Sequence, residues 1–465
     1  MMRAFSLAEA KSWLDASLAG KPVNAEEIWF KGVSTDTRAV GEGQLFVALR
    51  GERFDGHEFL EQARSQGAVA AVVDTADDTI SFPQLVVNDT VNALAALAAG
   101  NRNESNAQLV AITGSSGKTT VRQLTASILE QMGKALATEG NLNNHIGVPL
   151  TMFRLSPEHQ YGAVELGASG LGEIAHTVAI VRPQVAILTN AGQAHLEGFG
   201  SYQNIIKAKG EIIDGVAEQG LVVLNRDDPA FDQWLERAGE RRVVSVSRMS
   251  HPEADYRAEA QVGSDQTMTV TAEGPNGWRC AFTLPLVGEH NVSNALCAIA
   301  ACRELGATDD QLVQGLSGVK AVKGRLHVCE PAPGFTVIDD SYNANPASMK
   351  AAIDVLSGYT GQRVAVLGAM AELGEQGDDL HAEVGAHAKE KGIERLLLVG
   401  PGCEGYANGF GQGAEHFQTH EQAVNAIVDG RQGAMVVLVK GSRSSAMDRV
   451  VEGMQTKVKN ACCSG

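Results

Sequence analysis

The sequence predicts an α/β protein of three domains built on parallel sheets. The chain has 465 residues, about three times the ~150 that one domain typically uses. Short aliphatic runs recur along it without alternating polar residues, which is typical of strands buried on both faces of a parallel sheet. Segments with helical spacing lie between many of these runs, and alternating strands and helices form parallel α/β sheets. We place the domains at 1–85, 86–314 and 315–465.

The predicted strands and helices follow one another in order along the chain. Strands are predicted at 69–73, 109–113, 185–189, 221–224, 364–367, 396–399 and 435–439. Helices are predicted at 90–99, 121–132 and 292–302, where apolar residues recur three and four apart. The segment 255–285 contains Gly, Pro and Asn turns and predicts hairpins that extend the central sheet. A Gly-rich stretch at 315–323 precedes a fresh α/β series, so the C-terminal domain is predicted to be Rossmann-like.

Composition and charge argue against several classes of protein. The 38 Lys and Arg residues against 55 Asp and Glu give a net charge of −17, so the basic field of a nucleic-acid-binding protein is missing. No apolar run approaches the ~20 residues that span a bilayer, and the start of the chain carries charges where a signal peptide is apolar. The 7 Cys residues form no C-x-x-C pair, which argues against a zinc ribbon or a disulfide framework. We expect a cytoplasmic monomer that binds no nucleic acid and does not insert into membranes.

The segment 109–120 has the pattern of a buried strand, a glycine loop and a helix start. Glycines allow the backbone to wrap an anion, while the loop N–H groups and the helix dipole favour negative charge there. Lys118 supplies a full positive charge, and the Thr119 hydroxyl can bind Mg²⁺. Two residues rather than the usual four separate Gly114 from Gly117. The pattern predicts a P-loop-type central domain that binds a nucleoside triphosphate, and a plain turn of small residues is the alternative. The predicted contacts are Gly114, Ser115, Ser116, Gly117, Lys118, Thr119 and Thr120.

Two further strands end in side chains suited to a metal site. Glu165 and His195 follow buried strands, and ligands of open parallel sheets bind beyond the carboxyl ends of the strands. A carboxylate suits Mg²⁺, and burying one is costly unless it is paired or binds a metal. Histidine fits Mg²⁺ less well, so a structural role for His195 stays open. The predicted metal ligands are Thr119, Glu165 and His195.

Taken together, segments 113–120 and 288–295 with Glu165 and His195 resemble the Mur ligases, ATP-dependent amide-bond ligases of bacterial cell-wall precursor synthesis. The resemblance covers essentially the whole chain. Segments 34–38, 45–49 and 55–57 are similar to the domain that holds the uridine nucleotide in the last two ligases of that pathway. Segments 339–346, 367–374 and 440–443 resemble the members that add D-alanyl-D-alanine. The Asp-Asn-Pro-Arg motif of the preceding, third-residue-adding ligase does not occur in the sequence.

The resemblance also implies roles for individual residues. It implies that Asn291 and Asn294 contact adenine, that Arg325 contacts phosphate and that Asp340 contacts ribose. Lys209 falls where the family can have a carbamylated lysine that supports a second Mg²⁺, although from the sequence alone it is a charge on a helix. Helix caps at 290–294 and a simple turn at 141–144 stay open as alternatives. The implied catalytic residues are Lys118, Glu165, His195, Lys209 and Arg325. The implied substrate contacts are Thr35, Asp36, Thr37, Arg38, Asp55, Asn141, Asn143, Asn144, Asn343, Asn345, Lys440, Ser442 and Arg443.

The function implied by the resemblance is the ATP- and Mg²⁺-dependent addition of D-alanyl-D-alanine to UDP-N-acetylmuramoyl-tripeptide through an acyl phosphate. The first domain would hold the uridine nucleotide, the second ATP, and the third would close on ATP and bind the dipeptide. The alternatives are a folate polyglutamate ligase or third-residue-adding ligase, a nucleotide-dependent switch that hydrolyses ATP without forming a bond, and a non-catalytic scaffold.

Overall fold

The N-terminal body is built on a five-stranded sheet. The computed structural model describes residues 2–20, 23–52, 54–263 and 267–463. The elements of this body are β1 (Phe5–Ser6), α1 (Leu7–Leu14), β2 (Ser17–Gly20), β3 (Trp29–Phe30), β4 (Val33–Ser34), β5 (Leu45–Val47), α2 (Leu60–Ser65), β6 (Ala70–Val73) and β7 (Pro83–Val86). The strand order is β2-β7-β6-β5-β4, with only the edge strand β2 antiparallel, while β1 pairs with β3.

The central body is built on a nine-stranded sheet of order β16-β15-β14-β13-β12-β11-β8-β10-β9. Its elements are α3 (Thr90–Asn103), β8 (Gln108–Thr113), α4 (Lys118–Met132), β9 (Ala135–Ala137), α5 (Gly147–Met152), β10 (Tyr161–Glu165), α6 (Glu173–Val181), β11 (Val185–Leu188), α7 (Leu196–Phe199), α8 (Tyr202–Asp214), β12 (Leu221–Asn225), α9 (Phe231–Ala238), β13 (Arg242–Ser247), β14 (Tyr256–Val262), β15 (Met268–Gly274), β16 (Trp278–Leu284), α10 (His290–Glu304) and α11 (Asp309–Ser317). Strands β9 to β14 pair in parallel and β14 to β16 are antiparallel. The hairpins predicted at 255–285 are therefore present.

The C-terminal body is built on a six-stranded sheet of order β17-β18-β22-β19-β20-β21, parallel except for β17. Its elements are β17 (His327–Ala332), β18 (Phe335–Asp340), α12 (Pro346–Ser357), β19 (Gln362–Gly368), α13 (Gly377–Glu390), β20 (Arg395–Val399), α14 (Glu404–Phe410), β21 (Ala414–Phe417), α15 (His420–Val428), β22 (Met435–Lys440) and α16 (Asp448–Cys463). Separate apolar clusters cover the two faces of this sheet. The predicted α/β architecture of parallel sheets is confirmed.

Two apolar clusters fix how the central body is built. One runs from Met2 to Ala238 and joins the N-terminal body to one face of the central sheet. The other buries α4 and α10 against the opposite face. Helix α11 packs against α4 and β16, so it belongs to the central body. The boundary predicted after residue 314 falls within α11, and the boundary predicted after residue 85 falls within β7, one residue before its end.

Three adjacent strands of the central sheet end level with one another. In the order β11-β8-β10, Leu188 lies opposite Thr113, and Glu165 lies opposite Ile112. The loops that follow these strands therefore emerge side by side at the carboxyl edge, where open parallel sheets bind ligands. Among the residues that the structure describes, no helix has the length and apolar character needed to cross a bilayer.

Candidate functional site

A cleft of about 1060 Å³ lies between the carboxyl edge of the central sheet and the C-terminal body. It brings together side chains from residue 115 to residue 443 that sequence reasoning had selected separately. The predicted residues that line it are Ser115, Ser116, Gly117, Lys118, Thr119, Thr120, Asn141, Asn143, Asn144, Glu165, His195, Asn291, Asn294, Arg325, Asp340, Asn343, Asn345, Lys440, Ser442 and Arg443. The predicted residues that lie outside it are Gly114, Lys209, Thr35, Asp36, Thr37, Arg38 and Asp55.

Two positions of the loop between β8 and α4 require glycine. Gly114 has φ +145° and Gly117 has φ +82°, backbone angles that residues with a side chain rarely adopt. A Cβ atom at Gly114 would lie 2.0 Å from Thr189 Oγ1, and one at Gly117 would lie 2.6 Å from Asn294 Oδ1. The loop is therefore wedged between the end of β11 and the first turns of α10.

The loop is also hydrogen-bonded to the chain that follows β11. The Ser116 N–H donates to Asn190 Oδ1 at 2.9 Å. In return, Asn190 Nδ2 and Thr189 Oγ1 donate to the Ser116 carbonyl oxygen at 3.1 and 2.7 Å. These bonds fix the backbone of the loop in the protein itself, so a bound phosphate would meet a preformed cradle.

Lys118 extends back over the loop. Its Nζ donates to the Gly114 carbonyl oxygen at 2.7 Å. Burial lowers the pKa of Lys118, with Glu165 acting in the opposite direction and Arg325 in the same one. The Lys118 ammonium and the Arg325 guanidinium thus face the same cleft, and an anion bound between them would offset their mutual repulsion.

Glu165, the last residue of β10, is buried and held by three side chains. Its Oε2 accepts a hydrogen bond from Thr119 Oγ1 at 3.0 Å, and its Oε1 accepts one from Asn143 Nδ2 at 2.9 Å. Arg122 Nε lies 3.5 Å from Oε2 and has no hydrogen-bond partner of its own. The Thr119 hydroxyl and the Glu165 carboxylate lie together and offer the oxygen ligands that Mg²⁺ prefers. These two of the three predicted metal ligands therefore fit the ion.

His195 has its partner in the C-terminal body. Its Nδ1 pairs with the carboxylate of Glu372, and the Glu197 N–H donates to the Glu372 carbonyl oxygen at 3.2 Å. His195 and Glu372 both have left-handed backbones, with φ +56° and +60°. Within the described ranges no group of three His, Cys, Asp or Glu side chains could hold a metal ion. The structure thus joins Thr119 to Glu165, while the metal-binding role of His195 stays a prediction.

Lys209 lies on α8 behind the cleft rather than in it. Its side chain is buried, its Nζ donates to the Ala168 carbonyl oxygen at 3.1 Å, and it lies 5.0 Å from the centre of the Phe199 ring. Burial lowers its pKa to about 7, and the charge of Lys118 acts in the same direction. A substantial fraction of this amine is therefore uncharged near neutral pH.

The opposite wall is formed by Asp340 and Lys440, the last residues of β18 and β22, and by Arg325, which precedes β17. Lys440 Nζ donates to Asp340 Oδ2 at 2.5 Å and to the Asn343 carbonyl oxygen at 2.9 Å. The Leu326 N–H donates to Asp340 Oδ1 at 3.1 Å. Burial raises the pKa of Asp340, and Lys440 opposes that shift. The guanidinium of Arg325 lies above the Tyr342 ring, 4.3 Å from its centre.

The predicted adenine contacts form a small buried amide pair on α10. Asn294 Nδ2 donates to Asn291 Oδ1 at 2.8 Å, and Asn291 Nδ2 donates to the Val287 carbonyl oxygen at 2.8 Å. Neither side chain caps the helix, because the N-cap position is Glu289 and no side-chain cap bond is present there. The alternative of a helix start with Asn caps is therefore wrong.

The N-terminal sheet carries its own polar cluster after β5 and β6. His57 Nδ1 lies 2.6 Å from Asp55 Oδ1, and the Asp74 N–H donates to His57 Nε2 at 3.1 Å. Arg50 bonds both Asp55 and Asp74 and lowers the pKa of Asp74 to about 2. This network places Asp55 at the carboxyl edge of a second parallel sheet.

Segment 34–38 forms a polar turn at the end of β4. Arg38 Nε donates to Asp36 Oδ1 at 2.9 Å, and this pairing lowers the pKa of Asp36 to about 2. The Arg38 side chain is 85% exposed, so its guanidinium is accessible to a ligand. Thr35 and Thr37 belong to the same turn. The predicted uridine contacts therefore form a group distinct from the cleft.

Sequence reasoning missed Asn190, Asp228 and Glu372, which line the cleft, and Arg122, which contacts Glu165 beside it. Arg122 lies one helical turn after Lys118, so its spacing could have indicated a side chain on the same face. Asn190 immediately follows a predicted strand and could have been found in the same way as Glu165. Glu372 could not, since only the folded chain brings it to His195. Asp228, whose carboxylate accepts from the Ala191 N–H at 2.9 Å and anchors the loop after β11, gave no signal in the sequence.

Comparisons with known proteins identify one family along the chain. The sequence matches the family models described as "Mur ligase family, catalytic domain" over 30–115, "Mur ligase middle domain" over 112–302 and "Mur ligase, glutamate ligase domain" over 324–443. The UDP-N-acetylmuramoyl-tripeptide--D-alanyl-D-alanine ligase of Escherichia coli (strain K12) is 42% identical, over 99% of this chain and 100% of its own length.

Solved structures give the same result. MurF from Acinetobacter baumannii superposes with a TM-score of 0.91 at 34% identity, covering 98% of this chain and 99% of its own. The MurF ligase from Thermotoga maritima, determined in complex with ADP, superposes with a TM-score of 0.85 at 28% identity, covering 92% and 98%. The similarity thus extends over all three bodies and is not confined to residues 114–117, the loop between β8 and α4, which we call the phosphate loop.

Proposed function

The chain belongs to the Mur ligase family, and from that membership we propose that it joins D-alanyl-D-alanine to UDP-N-acetylmuramoyl-tripeptide. The products are the pentapeptide precursor of peptidoglycan, ADP and phosphate. The observation that carries the proposal is the 42% identity over 99% of the chain to a ligase of that name. The cleft adds a chemical reason, because its phosphate loop, paired cations and buried carboxylate are the parts that phosphoryl transfer requires.

The reaction must begin by activating a carboxylate, since a carboxylate and an amine do not condense in water. The γ-phosphoryl group of ATP passes to the terminal carboxylate of the tripeptide, forming a C(O)–O–P linkage and releasing ADP. The amine of D-alanyl-D-alanine then attacks the carbonyl carbon, losing a proton as the C–O bond breaks and phosphate leaves. Lys118 and Arg325 would offset the charge on the transferring group from opposite walls of the cleft.

We infer that Mg²⁺ assists this step, held through Thr119 and Glu165. When bound, the ion would neutralise charge on the ATP phosphates. The protein's own contribution is to keep the Glu165 carboxylate oriented, which Asn143 and Arg122 do in the folded chain. Whether His195 leaves Glu372 to join the metal is a separate proposal that follows from the family resemblance.

Lys209 is proposed to carry a carbamate. The uncharged amine is the form that attacks CO₂, forming an N–C bond and releasing a proton, and the pKa of about 7 keeps part of Lys209 in that form. Native mass spectra recorded in CO₂-equilibrated and in CO₂-free buffer should differ by the mass of the carbamate. Identical spectra, together with full activity of Lys209→Ala, would contradict this role.

Each of the three bodies is proposed to bind a different substrate. We propose that the N-terminal body holds the uridine nucleotide, the central body ATP, and that the C-terminal body closes on ATP and binds the dipeptide. Asn343, Lys440, Ser442 and Arg443 are the proposed dipeptide contacts. Closure would exclude water, which would otherwise hydrolyse the acyl phosphate. Small-angle scattering with and without a non-hydrolysable ATP analogue tests closure, and identical profiles would count against it.

The enzyme is further proposed to act as a monomer in the cytoplasm, where ATP is supplied. Light scattering coupled to gel filtration should give the mass of one 49.0 kDa chain. A dimer mass at the concentrations of the activity assay would contradict the first part of this proposal.

The proposed reaction is tested with a panel of amines. Purified protein is incubated with ATP, Mg²⁺ and UDP-N-acetylmuramoyl-tripeptide, together with D-alanyl-D-alanine, L-alanyl-L-alanine, diaminopimelate or glutamate. ADP release and the amide product should require the D,D-dipeptide. ADP release without any amine would instead support a nucleotide-hydrolysing switch, and amide formation with L-alanyl-L-alanine, diaminopimelate or glutamate as readily as with D-alanyl-D-alanine would contradict the proposed amine.

A further inference from the structure

Asn345 makes two bonds that point in opposite directions. Its Oδ1 accepts from the Ser348 N–H at 2.9 Å and so caps α12 in the C-terminal body. Its Nδ2 donates to Ser116 Oγ, 3.1 Å away in the phosphate loop of the central body. We propose that Asn345 couples closure of the C-terminal body to the state of the phosphate loop, as a positioning residue and not as the substrate contact that the family resemblance implied.

Ser116 is suited to this coupling because its backbone is already held. Asn190 and Thr189 bond its N–H and carbonyl oxygen, which leaves the hydroxyl as the part that faces across the cleft. A hydroxyl can accept one hydrogen bond and donate another at the same time. Ser116 Oγ can therefore accept from Asn345 while its proton remains available to a phosphate oxygen.

The loop after β11 lies beside the Asn345 bond and approaches both bodies. Ser115 Oγ donates to the Gly192 carbonyl oxygen at 3.1 Å. A Cβ atom at Gly192 would lie 3.5 Å from the Ser115 Cβ and 3.9 Å from the Ala347 Cβ. The loop after β11 is thus packed between the phosphate loop and the first turn of α12, directly beside the Asn345 bond.

The consequence for catalysis rests on the proposed function, since it assumes that the loop binds ATP. An anion that orders Ser116 favours the conformation in which Asn345 is hydrogen-bonded to it. By thermodynamic linkage, the conformation with this hydrogen bond binds the anion more tightly. One neutral hydrogen bond changes such an equilibrium about three- to tenfold. The contact is therefore strong enough to bias closure and weak enough to allow product release.

The test is a double-mutant cycle. Asn345→Ser keeps a neutral oxygen cap on α12, because Ser and Asn cap about equally well, but removes the Nδ2 donor. Ser116→Ala removes the acceptor. Each single variant should lower kcat/KM for D-alanyl-D-alanine about three- to tenfold, and the double variant should lose no more than the worse of the two. Direct effects of Ser116→Ala on ATP binding cancel in the cycle.

Two further measurements separate this role from others. Asn345→Ala loses the cap as well, so it should melt earlier than wild type, whereas Asn345→Ser should melt with it. Small-angle scattering with a non-hydrolysable ATP analogue should show reduced compaction in the same non-additive pattern. Unchanged kinetics in Asn345→Ser, or a double variant whose loss is the product of the single losses, would overturn the proposal. If wild type forms no amide, the proposed function has failed, and the scattering cycle alone decides the role of Asn345.

Discussion

Gly117→Ala is expected to impair nucleotide binding far more than its small size suggests. Gly117 has φ +82°, and a left-handed backbone costs a non-glycine residue about 1–2 kcal/mol. The new Cβ would lie 2.6 Å from Asn294 Oδ1, so Asn294 must turn away and give up its 2.8 Å bond to Asn291. Losing that bond adds about 1 kcal/mol, for a total of about 2–3 kcal/mol.

This cost should appear in the affinity for ADP. The clash displaces the loop of the free variant from the conformation that is preformed in the wild type, and ADP binding must restore that conformation, so affinity falls by up to the whole amount, about 30- to 160-fold. Gly306→Ala is the matched control, because Gly306 has φ +94° and no atom within 4 Å of its Cβ position. It should lose stability but bind ADP as wild type does in a calorimetric titration. Equal ADP affinity in the two variants would refute the reasoning.

Three other substitutions test separate parts of the site. Lys118→Ala should lower kcat more than about 100-fold with smaller changes in KM, because Lys118 meets charge that develops during transfer; near-normal turnover would contradict its role. Glu165→Gln keeps the shape but removes the charge, so binding of an ATP analogue should need at least about tenfold more Mg²⁺; an unchanged Mg²⁺ titration would contradict the proposed ligand. Lys209→Met should be more stable than wild type below pH 7. Burial lowers the pKa of Lys209 to about 7 in the folded protein, whereas the unfolded lysine keeps its proton up to 10.5. The wild type therefore regains stability as the pH rises between these values, and the difference in melting temperature between Lys209→Met and wild type should narrow. A difference independent of pH would contradict the lowered pKa.

Local patterns in the sequence were enough to predict the sheets. Strands such as 109–113 are buried on both faces and lack polar alternation, and the helices between them have a clear apolar spacing. The glycines at 114 and 117 followed from the same local logic, since a loop that folds around an anion needs backbone conformations that only glycine adopts easily. These features depend on neighbours close in sequence.

Contacts across the cleft could not be predicted in this way. The pairing of His195 with Glu372 and of Ser116 with Asn345 joins loops from two different sheets, and no periodicity specifies which loops will face each other. Asn345 illustrates the consequence: its motif suggested a substrate contact, and only the folded chain reveals that it also caps α12 and bonds to the phosphate loop. Contacts between side chains of different bodies can be identified only in the folded chain, where the bodies lie against one another.

The most direct test of the account follows oxygen during one turnover. UDP-N-acetylmuramoyl-tripeptide labelled with ¹⁸O in its terminal carboxylate is incubated with the enzyme, ATP, Mg²⁺ and D-alanyl-D-alanine, and the released phosphate is analysed by mass spectrometry. An acyl phosphate transfers its bridging oxygen, so the phosphate should carry one ¹⁸O atom for each amide formed. Unlabelled phosphate accompanying amide formation would contradict activation of the carboxylate by ATP.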